Sequence, residues 1–249
     1  MRMQTLRPHG LECVTWNVHR GRGQDNRVDP ERIVDVLASE VCAHGPEVLA
    51  LQEADEETPP HAGLLDLKRI EAETGLRSIH SNAALRWGPQ SDGFLGAILF
   101  LHPDFEITAT HVLDLPGHCH RGAVVVDTRK NGKALRILTT HLSLGQMLRA
   151  AQMRTIGQFL FRRPEMPTIV LGDLNEWRPW GGLAFSKKLV GLRLSGPVRR
   201  TFPATRPLLP LDRILSDQPA AVREARVLDG PGIRVASDHR PLAARVLLA

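Results

Sequence analysis

Short apolar runs recur along the chain, many of them rich in β-branched residues and bounded by turn formers. "LECVTWNV" (11–18), "EVLALQE" (47–53), "GAILF" (96–100), "ITATHVLDL" (107–115) and "GAVVVDT" (122–128) read as strands. So do "ALRILTTHL" (134–142), "PTIVLGD" (167–173), "LDRILS" (211–216), "EARVLD" (224–229) and "PLAARVLL" (241–248). Other stretches read as helices. Over 29–43, Asp29 suits the N-cap, Pro30 suits the first helical position, and Ile33, Val36, Leu37 and Val41 share a face. "GP" at 45–46 ends that helix, and a second, over about 64–74, runs to Gly75 as its C-cap. A third covers about 146–161, with Leu148, Gln152, Ile156, Phe159 and Leu160 on one side. "NG" at 131–132 is a hairpin signal, and 176–210, rich in Pro, Gly and Arg, reads as loop with one short helix. Many strands mixed in order with few helices predict an α/β sandwich with two packed sheets.

Polar residues interrupt this pattern in one kind of place. Asn17, Glu53, His141 and Asp173 each stand at the C-terminal end of an apolar strand, and Asp238 and His239 stand just before the last one. Strand ends hold side chains rigidly at a sheet rim, where ligands of α/β proteins usually sit. Each residue alone has an ordinary explanation: a solvated strand end, a turn, a satisfied histidine. Asp173 and Asn175 in "GDLNEW" are also good turn and cap formers. Asp212, flanked by Leu211 and Ile214, is harder to dismiss, because an acid within a buried strand needs a partner. Glu53, Asp173 and Asp238 are hard oxygen ligands suited to Mg²⁺ or Mn²⁺, and Asp212 with His239 would make an Asp–His pair. Such a set suits attack of water on a phosphate ester.

Composition narrows the setting. A chain of 249 residues with 42% apolar side chains has material for one large domain or two modest ones. The net charge of +5 leans weakly toward an anionic partner. Three scattered cysteines (Cys13, Cys42, Cys119) argue against a disulfide framework and for a reducing, cytoplasmic setting. The opening "MRMQTLRPHGLECVTW" has no apolar leader core, and no run reaches the roughly 20 apolar residues of a membrane span.

Six motifs in order, "TWNVHRG", "LALQE", "TTHLSL", "VLGDLNEW", "LDRIL" and "SDHRPL", give the chain a further reading. In them it resembles the endonuclease/exonuclease/phosphatase superfamily, which includes pancreatic-type deoxyribonuclease, and most closely a small bacterial branch with minimal loops. The matches run from residue 13 to 246, so one catalytic domain over 1–249 is expected. The resemblance implies a four-layer α/β sandwich, two packed mixed β-sheets flanked by helices, with the site at one edge. It implies Glu53 as the main metal ligand with Asn17 and Asp238 close by, the metal being Mg²⁺ or Mn²⁺. Asp173 would orient or deprotonate the attacking water, and Asn175 would hold Asp173 or the phosphate. His239, paired with Asp212, would bind or protonate a phosphate oxygen, and His141 would contact the phosphate from the other side. Arg121, His19 and Arg20 would face the substrate phosphate. Two departures stand out: His19 replaces an acidic residue common among the nucleases, and "LGAIL" places Gly96 where relatives often carry Asn.

Other motifs carry less. "GRGQDN" (21–26) fits neither a dinucleotide loop nor a P-loop. His118, Cys119 and His120 are adjacent, a spacing that rarely converges on one zinc ion. Lys187, Lys188, Arg193, Arg199 and Arg200 read as a solvated face or as a phosphate-facing rim. The interval from Asn175 to Asp212 lacks the long segment with which abasic-site endonucleases engage bent DNA, so that activity is not expected. With seven Phe and four Trp there is no evident platform for stacking single-stranded bases. A monomer acting on an anionic phosphoester is expected, its substrate open among nucleic acid, phospholipid head groups at a membrane surface and soluble phosphoesters. Trp177 and Trp180, just past the site, could dip into a lipid interface. A binding module without activity is the alternative from another class.

Overall fold

A computed structural model describes residues 10–119 and 121–247. Its elements in chain order are β1 (Gly10–Asn17), α1 (Pro30–Val36), β2 (Val48–Gln52), α2 (Leu67–Thr74), β3 (Arg77–Ser78), β4 (Ile98–Leu101), β5 (Glu106–Leu115) and β6 (Arg121–Lys130). They continue with β7 (Lys133–Thr140), α3 (Gln146–Phe161), β8 (Thr168–Asp173), α4 (Lys187–Val190), β9 (Asp212–Ser216), β10 (Val222–Val227), α5 (Ile233–Ala236) and β11 (Leu242–Leu247). Among the described residues the strands form two mixed sheets, ordered β10-β11-β1-β2-β4-β3 and β5-β6-β7-β8-β9. Within each, one neighbouring pair is parallel, β1 with β2 and β7 with β8, and the other pairings are antiparallel.

Side-chain alternation sorts the apolar residues into three layers. Cys13, Ala50, Leu99, Val124, Val126, Ile137, Leu171 and Ile214 meet between the sheets. The outer face of the first sheet (Val14, Trp16, Leu49, Leu51) packs on Ile33 and Leu37 of the first helical segment and Ile70 of α2. The outer face of the second (Val125, Leu138, Val170) packs on Met153, Ile156 and Leu160 of α3. This is the expected four-layer sandwich of helix, sheet, sheet and helix. No helix of the described residues is long and apolar enough to cross a membrane.

Local signals behave as their chemistry predicts. Asp29 caps α1 through the Arg32 N–H, with Pro30 in the first turn, and Gly75 ends α2 at φ +74°. Asn131 and Gly132, both at positive φ, close the β6–β7 hairpin.

Several boundaries differ from expectation. The helix expected over 29–43 is α-helical only to Val36, then widens over Leu37–Val41, where the Cys42 N–H reaches back to Leu37. The second helix starts at Leu67 because Asp66 is its N-cap. "GAILF" starts its strand only at Ile98, because Leu95 and Gly96, at φ +53° and +79°, form a two-residue turn closed by Phe94 and Ala97. The Gly96 departure follows from this, since Gly and Asn are the residues that best tolerate such a φ. On α3 Leu148 and Phe159 are only partly buried, and the inward face carries Arg149 and Gln152 beside Met153, Ile156 and Leu160. The strand expected at 224–229 is β10, which starts at Val222 and pairs with β11 across an irregularity between Arg223 and Arg226. Residues 1–9, His120 and Leu248 lie outside the described residues.

Candidate functional site

Strand direction explains why distant residues meet. In a parallel pair both C-terminal ends lie at one edge, so β1 brings Asn17 and β2 brings Glu53 there. The parallel pair β7 and β8 likewise delivers His141 and Asp173. Antiparallel neighbours enter at the same edge. Asp212 opens β9 in register with Asp173, Arg121 opens β6, and Asp238 and His239 precede β11. Gly172 makes the approach of β8 possible: a Cβ there, at φ +146°, would lie 2.0 Å from the Thr140 carbonyl oxygen.

Asp173 is the hub. One of its oxygens accepts from the Asn17 amide at 3.0 Å, and the other accepts from the Asn175 backbone N–H at 3.1 Å. The same Asn17 amide donates to Glu53 at 3.1 Å, so one side chain spaces two carboxylates. His141 Nε2 lies 3.4 Å from Asp173 and 3.1 Å from the Asn175 side-chain nitrogen, which also donates to the Leu142 carbonyl. Asn175 holds its bend at φ +51°, a conformation Asn tolerates well. Burial pushes the Asp173 carboxyl above the usual carboxylate range, reinforced by Asp212 and opposed by His239. Burial pushes His141 well below 6.5, with Arg121, His239 and Arg20 adding to the shift, so it is neutral near pH 7.

His239 sits opposite. Its Nδ1 is 2.8 Å from Asp212, and its Nε2 is 3.7 Å from Asp173. Asp212 is fully buried, and its Oδ2 also accepts from the Thr201 hydroxyl. The backbone carbonyl of His239 accepts from the Trp16 indole, its N–H meets the Ser237 hydroxyl, and its ring lies against Phe202. Burial alone would lower the His239 pKa, but Asp212 first, then Asp173 and Asp238, outweigh it and raise it to about 10. The imidazole is therefore a fixed cation at neutral pH.

The rim is basic and acidic by turns. Arg20 pairs with Glu53 at 2.6 Å and reaches Glu57 at 3.4 Å. His19 Nδ1 is 3.1 Å from the Arg22 carbonyl and 3.6 Å from Asp238. Arg121 lines the cavity, and its Nε is buried without a hydrogen-bond partner among the described residues. All eleven site residues anticipated from the sequence border one open cavity of about 380 Å³ except Asp212, which lies beneath His239. A second cavity of about 200 Å³ adjoins it across Arg20, Glu53, Arg121 and His141, and carries Glu56, Glu57, His61, His118 and Cys119.

Two groups of residues offer ligand atoms for a cation. Atoms of Asp173, Asp212 and His239 lie within 4.8 Å of one another. There His239 keeps Nδ1 on Asp212 and turns Nε2 toward Asp173 at 3.7 Å, so Nε2 is the nitrogen that would meet a cation. Glu53 and Asp238 are the other candidates, both hard oxygen donors on the cavity wall. The Arg20 guanidinium beside Glu53 marks a place where positive charge is stabilised, and a cation at Glu53 has to displace it. Asn17 turns its amide nitrogen to the carboxylates while its oxygen accepts from the His19 N–H.

One supporting group was not anticipated. Glu176 is fully buried between Arg149 at 3.2 Å and Arg178 at 2.8 Å, and Arg213 donates to its backbone carbonyl. This network anchors the segment that follows Asp173 and Asn175. Its signal was an arginine on the expected apolar side of α3, four residues before Met153.

The sequence profile of the Endonuclease/Exonuclease/phosphatase family matches residues 14–239. YbhP of Escherichia coli K12 is 35% identical over 123 residues, 47% of this chain and 48% of that protein, so the match spans about half of the relative's length. Among solved structures, a mannosyl-6-phosphatase of Bacteroides thetaiotaomicron superposes with a TM-score of 0.73 at 18% identity, over 96% of this chain and 100% of that one. Danio rerio TDP2 in complex with a single-strand DNA product gives 0.67 at 16% identity, over 95% and 98%. A Bacteroides vulgatus endonuclease/exonuclease/phosphatase gives 0.72 at 16% identity, over 97% and 100%.

Proposed function

The chain belongs to the endonuclease/exonuclease/phosphatase family, and on that premise we propose that it is a divalent-metal-dependent phosphoesterase in which Asp173 presents the attacking water. The observation that carries this reading is the setting of Asp173. It is buried at one wall of the cavity, its two oxygens are fixed by Asn17 and Asn175, and it carries a raised proton affinity. A carboxylate so placed can orient water and take its proton, because general bases work best when their pKa approaches the working pH. His239, held cationic by Asp212, faces the same cavity and stabilises charge on a phosphate oxygen or protonates it. Arg121 offers an unpaired buried donor to the same anion. His141, neutral, donates or accepts a hydrogen bond without adding charge. Glu53, with Asp238 and the Asn17 side chain beside it, would hold Mg²⁺ or Mn²⁺, and the metal supplies compensation for the substrate's negative charge. His19 and Arg20 line the entrance as further phosphate contacts.

The structural relatives include a mannosyl-6-phosphatase and a TDP2 complex with single-strand DNA product, so monoesters and diesters both belong in the test. The experiment is a panel of p-nitrophenyl phosphate, bis-p-nitrophenyl phosphate, plasmid DNA and phospholipids, with Mg²⁺ or Mn²⁺. Turnover is expected to require the cation and to stop with EDTA. Glu53→Gln is expected to lose Mn²⁺ affinity by calorimetry, and Asp173→Asn to lose about 10²- to 10⁴-fold in kcat, the usual worth of a positioned base. Absence of turnover on every ester with Mn²⁺ still bound would make the protein a binding module.

A further inference from the structure

The mouth of the cavity is not uniform. On one side stand Arg20, Glu53, His19 and Asp238. On the other, three loops present bare apolar side chains. Leu144 is 79% exposed, Met147 73% and Trp180 75%, with Trp177, Leu208 and Leu209 also exposed. These six residues come from the segment before and into α3, the loop after β8 and the loop before β9. Leu144, Trp177 and Leu209 reach the cavity itself. Arg178 ties the first two loops together by a 2.6 Å bond to Gln146, and its guanidinium covers one face of Trp177 at 4.7 Å. The third loop is closed on itself by backbone bonds between Phe202 and Leu209. An exposed apolar patch of this kind, beside a site and on fixed loops, marks an interaction surface.

Charge identifies the occupant. Residues 142–164 and 177–211, which contribute these loops, hold eleven of the chain's 32 basic residues, of which Arg149 and Arg178 are paired with the buried Glu176, and none of its 27 acidic ones. The rest of the chain is net acidic. Arg200 precedes the third loop and Arg206 lies within it, both exposed. Tryptophan with leucine and methionine, edged by arginine and free of carboxylates, is complementary to an anionic lipid surface, where indoles settle at head-group depth and cations gain from surface potential. A platform for single-stranded nucleic acid would present open aromatic faces. Here the aliphatic residues gain nothing from stacking, and Arg178 already occupies one indole face.

We propose that this rim docks on an anionic phospholipid bilayer, so that the scissile phosphate ester belongs to a lipid head group. The second half rests on the phosphoesterase reading above; the docking half does not. The opposite, polar side of the mouth, with the adjoining cavity bearing Glu56, Glu57 and His61, would then receive the hydrophilic part of the head group.

The test is co-sedimentation of the full chain with phosphatidylcholine vesicles, with or without phosphatidylglycerol, in EDTA. Binding is expected to rise at least tenfold with phosphatidylglycerol, and reversal of two exposed arginines (Arg200→Glu with Arg206→Glu) to undo roughly that gain. Trp180→Ser with Leu208→Ser, both outside the cavity, is expected to lower vesicle binding about tenfold while hydrolysis of soluble bis-p-nitrophenyl phosphate is unchanged. No binding to either vesicle would overturn docking, even if the soluble ester is cleaved. Binding of a single-stranded oligonucleotide that is lost in the same variants, with vesicles ignored, would overturn it in favour of nucleic acid. Vesicle binding without turnover of any ester would leave docking standing and remove the phosphoesterase reading.

Discussion

Asp212→Asn isolates the electrostatic device at the centre of the site. The substitution keeps an oxygen for His239 and for the Thr201 hydroxyl, but removes the negative charge 2.8 Å from the imidazole. His239 is 5% exposed, so solvent screens little of the interaction. Its rise from 6.5 to about 10 corresponds to roughly 5 kcal/mol in favour of the imidazolium. Asp212 contributes both charge and a hydrogen bond, whereas Asp173 stands farther off at 3.7 Å. Loss of Asp212 should therefore remove the larger share and bring the imidazole pKa well down from about 10. The charged fraction would then fall more at pH 8 than at pH 6. The kcat–pH profile should have its alkaline limb moved to lower pH, with a larger rate loss at pH 8 than at pH 6. Stability follows the same sign. A histidine whose folded pKa is raised contributes stability fully present below its unfolded pKa, about 6.5, and lost as pH rises through the folded value. The melting-temperature gap between the parent protein and Asp212→Asn should be widest below about pH 6.5 and close toward pH 10. A profile that is only scaled, with its alkaline limb in place, would refute the reasoning and make the pair a structural brace.

Arg121→Ala should lower kcat/KM on any anionic ester by about ten- to a thousandfold, the worth of a charge-assisted contact, with Mn²⁺ affinity unchanged by calorimetry; unaltered kinetics would take Arg121 out of the site. Gly172→Ala should abolish most activity and destabilise the fold by several kcal/mol in denaturant titration, because its Cβ would meet the Thr140 carbonyl oxygen at 2.0 Å and β8 would have to shift.

Much of the site could be read from the residues. Polar side chains ending apolar strands, the acid inside "LDRIL" and the motifs in order pointed to Glu53, Asp173, Asp212 and His239 as candidates, and the fold brings them together. Strand patterns named every sheet member among the described residues but the two-residue β3, because strands buried on both faces are written as continuous apolar runs. Boundaries were less legible. The Leu95–Gly96 turn and the early start of β10 depend on which backbone groups find partners across the sheet. The burial of Glu176 between Arg149 and Arg178 was hidden, because a charge within an apolar face looks like an error until its partner arrives from another element.

The sequence by itself determined which side chains are candidates for the chemistry, since carboxylates, amides, imidazoles and guanidinium groups interrupt its apolar runs. Tertiary structure decided what they are to one another. The two parallel pairs bring Asn17, Glu53, His141 and Asp173 to one edge, and the antiparallel neighbours feed Arg121, Asp212 and His239 into it. It also decided their charge states. Burial and a partner 2.8 Å away make His239 a cation while burial keeps His141 neutral. Proton affinity depends on desolvation and on neighbours in space, and neither is written along the chain.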